Sequence, residues 1–266
     1  MTDFSNKVVC ITGAGSGIGR QTALRFAEAG AKIMAADMNN DGLQETADLI
    51  SATGATVQTM SADVSDPDQV EALVNQCVST LGAPDVFFAN AGITGALKPL
   101  NKTSNEDIAR VIEVNILGPM YAVKFAGPVM AANGGGAIIL TASVAGIAAN
   151  AGPLPYSASK AAVISLAKTS AQELSGSGVR VNAICPGLVE TSMTKFIFDQ
   201  ARKNNTTPKL GQLNPSRRAG RTDDIAGAVM YLASDAASYV NGHALVVDGG
   251  LSSSMPFVPS HSLVMT

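Results

Sequence analysis

The sequence contains few of the side chains that bind metals or form disulfides. Its 266 residues include two histidines, His243 and His261, and neither lies near a second cluster of ligand-like residues. A catalytic zinc site therefore has no visible ligands. The three cysteines, Cys10, Cys77 and Cys185, lie far apart in apolar segments and form no CxxC pair. We expect them to be reduced packing residues of a cytoplasmic protein.

Charge is also scarce. Charged residues make up 15% of the chain, and the formal net charge is −3. This leaves no basic footprint for nucleic acid, so small molecules and other protein chains are the expected partners. Residues 125–159 carry no charge, but their glycines and prolines would interrupt a spanning helix, and we predict no membrane segment. The N-terminus lacks the apolar core of a signal peptide.

Short apolar runs alternate with longer helical patterns along the chain. The predicted strands are Lys7–Thr12, Lys32–Ala36, Thr56–Met60, Val86–Ala89, Ala137–Thr141, Arg180–Ile184 and Ala244–Val247. Helices between them are predicted to begin near Ile18, Asp41, Pro67, Thr103, Leu154 and Thr222. The alternation predicts an α/β fold: a single Rossmann-type domain over residues 1–251, with a doubly wound parallel sheet of about seven strands and helices on both faces. Ligands of such sheets bind at the carboxyl ends of the strands.

Two segments depart from this alternation. Residues 188–220 are too many for an ordinary connection and include an amphipathic piece, so we predict a lid or specificity loop for the substrate. The alternative is a surface excursion without function. The tail, residues 252–266, carries no charged residue but several apolar ones. Our hypothesis is that it packs on a neighbouring subunit near that loop; the alternative is a mobile end.

The first predicted strand is followed directly by a glycine-rich turn that opens a helix, Thr12-Gly13-Ala14-Gly15-Ser16-Gly17-Ile18-Gly19. Small residues there let the backbone approach a pyrophosphate, and the helix N-terminus favours its negative charge. A glycine-rich turn by itself is weak evidence, but its position between a strand and a helix strengthens the interpretation.

Asp37 ends the second predicted strand, eighteen positions after Gly19. That is close to the roughly twenty expected for an acid that binds the ribose hydroxyls of a dinucleotide. Its carboxylate would repel a 2′-phosphate, and no Lys or Arg stands at Ala14, Ser16 or Met38 to compensate. The sequence therefore predicts NAD rather than NADP as the cofactor. The alternative interpretation of Asp37 is a turn residue or helix cap.

Small and polar residues also follow the third and fourth predicted strands. Asp63-Val64 follows the third, and Asn90-Ala91-Gly92 follows the fourth. Each group could be only a turn signal. Arranged around one crevice, they would line the adenine and nicotinamide-ribose sides of the cofactor site.

Tyr156 and Lys160 are the most informative pair for chemistry. On a helix that begins near Leu154, positions four apart share a face, so an ammonium group lies beside a phenol. The positive charge would lower the pKa of the tyrosine towards the range of a general acid/base. Ser143, at the end of the fifth predicted strand, could hydrogen-bond a substrate carbonyl oxygen. A Tyr-x-x-x-Lys alone occurs often by chance.

Taken in order, these residues resemble the short-chain dehydrogenase/reductase family. The resemblance extends over about Asn6 to Leu251 and is carried by Thr12-Gly-x-x-x-Gly-x-Gly, Asn90-Ala91-Gly92, Asn115, Ser143, Tyr156-x-x-x-Lys160 and Pro186-Gly187. It implies that Tyr156 transfers the hydroxyl proton, that Lys160 lowers its pKa and binds nicotinamide ribose, and that Ser143 polarises the carbonyl. Asn115 would kink a helix around a water that links Lys160 to a proton relay. Pro186, Gly187, Val189 and Thr191 would contact the nicotinamide half.

The resemblance implies a hydride-transferring oxidoreductase of secondary alcohols or ketones that assembles as a homotetramer. Alternatives are a nucleotide-sugar epimerase-like enzyme, an adenosylmethionine methyltransferase and a catalytically silent Rossmann regulator. No Arg or Lys that could bind a substrate carboxylate is expected close to Ser143, which favours a neutral, hydrophobic, even cyclic alcohol. The substrate-lining residues are predicted to be mostly apolar: Ile93, Thr94, Val144, Ala145, Ile147, Leu154, Leu188, Met193, Phe196 and Phe198.

Overall fold

The computed structural model describes residues 3–206, 210–211 and 214–254. Its centre is one seven-stranded sheet in the order β3-β2-β1-β4-β5-β6-β7, with every neighbouring pair parallel. The strands are Val8–Thr12 (β1), Lys32–Asp37 (β2), Val57–Ser61 (β3), Val86–Ala89 (β4), Gly136–Thr141 (β5), Val179–Pro186 (β6) and Ala244–Val247 (β7). The predicted fold class is confirmed.

Eight α-helices connect or follow these strands among the described residues. They are Gly17–Glu28 (α1), Asn40–Ser51 (α2), Pro67–Thr80 (α3), Asn105–Ile112 (α4), Gly118–Ala132 (α5), Leu154–Glu173 (α6), Lys195–Lys203 (α7) and Thr222–Ala233 (α8). Helices α1, α2 and α8 cover one face of the sheet, and α3, α5 and α6 cover the other. No helix in this part of the chain is both long enough and apolar enough to span a membrane.

Strand β1 shows why both faces must be covered. Its Val-Val-Cys-Ile-Thr sequence is rich in β-branched residues, which favour a pleated strand, and alternate side chains point to opposite faces. Val9 and Ile11 join the core under α1 and α8, whereas Cys10 joins the core under α3 and α5. Cys77 of α3 neighbours Cys10 there, so these two thiols, distant in sequence, meet in the fold.

Local signals set several helix starts. The Asp66 carboxylate accepts a hydrogen bond from the Asp68 N–H, and Pro67 occupies the first turn of α3. Asn39 caps α2 by accepting from the Gly42 N–H. The helix predicted near Thr103 begins at Asn105 and is divided by a π-helical turn, Glu113–Leu117, which separates α4 from α5.

The long segment after β6 has structure of its own. Its amphipathic piece forms α7, and a parallel bridge between Val189 and Gly220 joins its two ends. The tail prediction falls mostly on residues 255–266, which lie outside the described residues. The carboxyl ends of β1 and β4 lie side by side at the point where the chain order of the sheet reverses, and a crevice opens there.

Candidate active site

The glycine-rich turn lies directly against the loop that follows β4. Gly13 has a φ of +68°, and a Cβ there would lie 2.9 Å from Ala91 Cα. A Cβ at Gly19 would lie 2.0 Å from the Gly13 carbonyl oxygen. The Asn90 amide closes this contact, because its Nδ2 donates to the carbonyl oxygens of Thr12 and Gly13 at 3.2 and 3.3 Å. Glycine is therefore required at both positions for the turn to pack.

Asp37 is fixed at the end of β2 and faces the same crevice. Its Oδ2 accepts from the Gly15 N–H at 2.8 Å, and its Oδ1 accepts from the Asn39 N–H at 2.9 Å. The helix cap of α2 is Asn39, so Asp37 is not the capping residue. The carboxylate thus ties the glycine-rich turn to β2 while it lines the cleft.

Asp63, after β3, belongs to a small charged cluster. Its Oδ1 accepts from the backbone N–H and the hydroxyl of Ser65, and its Oδ2 accepts from Arg110 at 2.8 Å. Burial raises the pKa of Asp63, but the hydrogen bonds from Ser65 and Arg110 outweigh it and leave that pKa below its ordinary value. Arg110 also lies 3.7 Å from the Met38 sulfur, next to Asp37.

Ser143, Tyr156 and Lys160 converge at the other end of the crevice. Ser143 follows β5, and Tyr156 stands in the first turn of α6, one helical turn before Lys160. Lys160 is buried, with 3% of its surface exposed. Its Nζ donates to the Thr141 carbonyl oxygen at 2.7 Å and lies 5.6 Å from the centre of the Tyr156 ring. The predicted convergence of these residues is what the structure shows.

The electrostatic expectation for Tyr156 was wrong in direction. Burial raises the pKa of Tyr156 above its ordinary value, and the Ser143 hydroxyl offsets only part of that rise. Burial also lowers the pKa of Lys160 to about 8, partly offset by Cys185. Removal of water disfavours both charged forms, and the ammonium group is directed at Thr141 rather than at the phenol oxygen. Proximity alone therefore does not stabilise the phenolate in this structure.

Asn115 lies behind the cleft and is completely buried. Its Oδ1 accepts from the Ile93 N–H at 2.9 Å, and its Nδ2 donates to the Ile93 carbonyl oxygen at 2.8 Å. The same Nδ2 donates to Ser159 Oγ at 3.0 Å, and Ser159 Oγ donates to the Tyr156 carbonyl oxygen at 2.7 Å. The π-helical turn at Asn115 is the departure from regular helix that the resemblance implied.

One cleft of about 400 Å³ collects most of the predicted residues. It is lined by Ser143 and by the predicted cofactor residues Gly13, Ser16, Gly17, Ile18, Asp37, Asp63, Val64, Asn90, Ala91, Gly92, Tyr156, Lys160, Pro186, Gly187, Val189 and Thr191. Gly19 does not line it, because its place is under the Gly13 carbonyl. Asn115 does not line it either. Of the ten predicted substrate residues, Ile93 and Met193 line this cleft. Leu188 lines a neighbouring cleft, and Val144, Ala145 and Phe198 are buried.

Sequence reasoning missed several residues of this cleft. Arg110 and Met38 line the end near Asp37, and Ser192 lies beside the glycine-rich turn, where its Oγ is 3.1 Å from Ser16 Oγ. Nothing in the spacing pairs Arg110 with Asp63, because the two are far apart in sequence and on different elements. The sequence predicts a helix after the fourth strand, but it does not predict that Arg110 on that helix reaches the cleft.

The cleft fits a nicotinamide dinucleotide. Gly13, Ser16 and Gly17 line the cleft without large side chains, so a phosphate can approach the backbone of the turn. Within the described chain the Ser16 side chain makes no capping hydrogen bond to α1, which leaves first-turn N–H groups available to an anion. Asp37 and Asp63 stand at one end of the cleft, and Tyr156 and Lys160 at the other. An elongated ligand with a central phosphate group matches this order.

Known proteins resemble this chain over most of its length. A family model described as enoyl-(acyl carrier protein) reductase matches residues 13–252. Levodione reductase of Leifsonia aquatica is 39% identical over 256 residues, covering 94% of this chain and 96% of that protein. Cyclohexanol dehydrogenase of Acinetobacter sp. (strain SE19) is 38% identical over 250 residues, covering 94% and 96%.

Solved structures give the same result. The crystal structure of levodione reductase superimposes with a TM-score of 0.89 at 38% identity, covering 95% of this chain and all of that one. A proposed NAD(P)-dependent gluconate 5-dehydrogenase from Beutenbergia cavernae, solved with bound NADP at low occupancy, gives a TM-score of 0.86 at 34% identity, covering 95% and 99%. The chain belongs to the short-chain dehydrogenase/reductase family and is a nicotinamide-dependent oxidoreductase of CH–OH groups.

Proposed function

We propose that this protein is an NAD-dependent dehydrogenase that interconverts a neutral, hydrophobic secondary alcohol and its ketone. The observation that carries the proposal is the convergence of Ser143, Tyr156 and Lys160 in the cleft that also contains the glycine-rich turn. These side chains supply a phenol, a hydroxyl and a buried ammonium at one end of the cleft. Such a set of groups is suited to acid/base chemistry on a carbonyl oxygen.

In this mechanism, the bound nicotinamide supplies the hydride for reduction or accepts it for oxidation. Ser143 donates a hydrogen bond to the substrate oxygen and orients it. Tyr156 gives that oxygen its proton as the ketone is reduced and removes it as the alcohol is oxidised. Burial raises the pKa of Tyr156, which favours the protonated phenol that acts as the general acid. Lys160, whose Nζ lies 5.6 Å from the centre of the Tyr156 ring, would bind the ribose next to the nicotinamide.

The preference for NAD is supported by charge around Asp37. Its carboxylate would accept from both ribose hydroxyls and repel a 2′-phosphate. Two arginines lie near this end of the cleft, and each is paired: Arg20 with Glu45 at 2.7 Å, and Arg110 with Asp63 at 2.8 Å. Pairing leaves less of their charge for a phosphate. Comparing kcat/KM for NADH and NADPH tests this part, and a preference for NADPH would contradict it.

The hydrophobic substrate is supported by the loops around the cleft. Loops after β4, β5 and β6 and the first turn of α6 expose large apolar side chains: Leu97, Leu100, Ile147, Leu154, Met193 and Phe196. Ile93 and Met193 line the cleft itself. The cations among the described cleft residues are Lys160 and Arg110, which are bound to Thr141 and Asp63. One relative is named for cyclohexanol, a cyclic secondary alcohol.

NADH formation from a panel of cyclic, aromatic, steroid and polyol alcohols tests the substrate class. We expect cyclic and apolar alcohols to give a higher kcat/KM than polyols.

Tyr156→Phe should lower kcat about 10²- to 10⁴-fold while NADH binding persists, since only the transferable proton is lost. Tyr239→Phe, which alters a fully exposed tyrosine outside the cleft, is the matched control. Near-normal turnover by Tyr156→Phe would remove Tyr156 from the mechanism.

A further inference from the structure

We infer that Arg110 is a positioning residue for recognition of the adenine base, acting through the carboxylate of Asp63. The inference rests on the proposed use of a nicotinamide adenine dinucleotide. Asp63 follows β3, whose neighbour β2 ends in Asp37, the proposed ribose ligand. The base beyond that ribose would therefore lie at the β3 side of the cleft, where both Asp63 and Arg110 form the wall.

The hydrogen-bond capacity of Asp63 is almost filled. An ionised carboxylate has about four acceptor sites, two on each oxygen. Oδ1 accepts from the Ser65 N–H at 2.9 Å and from the Ser65 hydroxyl at 2.7 Å, so both of its sites are used. Oδ2 accepts from Arg110 at 2.8 Å and keeps one site. A single further donor can therefore be recognised, and it must reach Oδ2.

Arg110 fixes the orientation of the Asp63 carboxylate. Its guanidinium bonds both Asp63 Oδ2 and Ser65 Oγ, so it spans the two groups that hold the carboxylate. It also lies 3.8 Å from Glu113 in its own helical region and 3.7 Å from the Met38 sulfur. The Asp63 carboxylate accepts three hydrogen bonds, two from Ser65 and one from Arg110. Its remaining acceptor site suits the exocyclic amino group of adenine. The carbonyl that replaces this amino group in hypoxanthine has no hydrogen to donate.

The charge of Arg110 supports the same role. Hydrogen bonds from Ser65 and Arg110 hold the pKa of Asp63 below its ordinary value, so the group remains an acceptor across the working range. Without Arg110, the carboxylate keeps its Ser65 contacts on Oδ1 but loses the hydrogen bond on Oδ2 that fixes its orientation. We therefore expect a loss of base discrimination rather than a general loss of cofactor binding.

The test compares two reduced cofactors, NADH and its hypoxanthine analogue, titrated by nicotinamide fluorescence into wild-type and variant proteins. Wild type should bind NADH about tenfold more tightly, as expected for one charge-assisted hydrogen bond. Arg110→Met should reduce this ratio to about twofold, and Arg110→Lys, which keeps a cation without the forked geometry, should give an intermediate ratio. The control is Arg25→Met, which removes a comparable Arg–Asp pair, with Asp223, outside the cleft.

The ratio separates positioning from a merely structural role, because a loosened fold would weaken both cofactors equally. An unchanged ratio in Arg110→Met would overturn the inference even if both affinities fell. A selective loss of NADPH binding in Arg110→Met would instead assign Arg110 to the 2′-phosphate and also overturn it. A wild type that preferred NADPH would contradict the NAD proposal while leaving the base comparison valid, and a wild type that bound no reduced cofactor would contradict both.

Discussion

Lys160 holds a positive charge in a place that strongly disfavours it, and this makes a stability measurement informative. Burial lowers its pKa from 10.5 to about 8. In the unfolded chain the ammonium is hydrated, so folding is penalised whenever the group is protonated in both states. Replacing it in Lys160→Met, a straight side chain of similar length without a charge, removes that penalty together with its pH dependence.

The expected size follows from the two pKa values. The difference between 10.5 and about 8 corresponds to about 3 kcal/mol at about 1.4 kcal/mol per pH unit. Below pH 8 both states bind the proton, and the full penalty is present. Between pH 8 and 10.5 the unfolded chain binds more protons than the folded one, so stability rises with pH. The Thr141 carbonyl loses its donor in the variant, at a cost of about 1–3 kcal/mol that does not depend on pH.

The assay is urea unfolding of the cofactor-free protein at several pH values between 7 and 10. Subtracting the unfolding free energy of Lys160→Met from that of wild type cancels the groups that the two proteins share. The difference should rise with pH, recovering most of the roughly 3 kcal/mol by pH 10. Lys168→Met, at an exposed position on the same helix, is the control for loss of a lysine. A difference that stayed flat, or fell as pH rose, would refute the reasoning.

Three further predictions concern the cofactor, the interior and the assembly. If Asp37 binds ribose as proposed, Asp37→Ser would remove two charge-assisted hydrogen bonds and the repulsion of a 2′-phosphate, so the ratio of kcat/KM for NADPH over NADH should rise at least about tenfold. Asn115→Ala leaves both backbone groups of Ile93 without their partner, and calorimetry should show destabilisation of about 3 kcal/mol; an unchanged melting temperature would contradict this. Light scattering should give a homotetramer, and ending the chain at Leu251 should weaken assembly or raise KM for the alcohol without changing NADH affinity; a truncated protein with unaltered assembly and kinetics would remove the proposed role of the tail.

The fold could be predicted because its signals are local. Each strand is a short apolar run, and each is correctly placed to within two residues at either end. The glycine-rich turn and Asp37 could also be predicted, since the order strand, turn, helix and strand brings them to one end of the sheet. Tyr156 and Lys160 share a helix, so their common face follows from their spacing alone.

The features of the site that the sequence did not predict depend on contacts between distant parts of the chain. Helical periodicity continues through Asn115, but the side chain bonds to Ile93 and Ser159 from other elements, and the helix departs into a π-helical turn there. Arg110 reaches Asp63 across two elements, and no spacing rule connects them. The direction of the Tyr156 pKa shift depends on how far the folded chain buries the phenol from water. The Tyr-x-x-x-Lys motif carries no information about that burial.

The two sides of the cleft differ in how firmly they are fixed. On the chemical side, Asn115 joins the loop after β4 to α6, and a Cβ at Gly92 would lie 3.3 Å from both Asn115 Oδ1 and Lys160 Nζ. That packing allows Tyr156 and Lys160 little freedom, as a preorganised proton-transfer site requires. On the substrate side, the segment with Met193 and Phe196 meets the glycine-rich turn through the Ser16–Ser192 contact. Met193 and Phe196 are exposed and lie on a different element from Tyr156, so they can change without disturbing the proton donor. Relatives at 38–39% identity are named for different compounds, levodione and cyclohexanol.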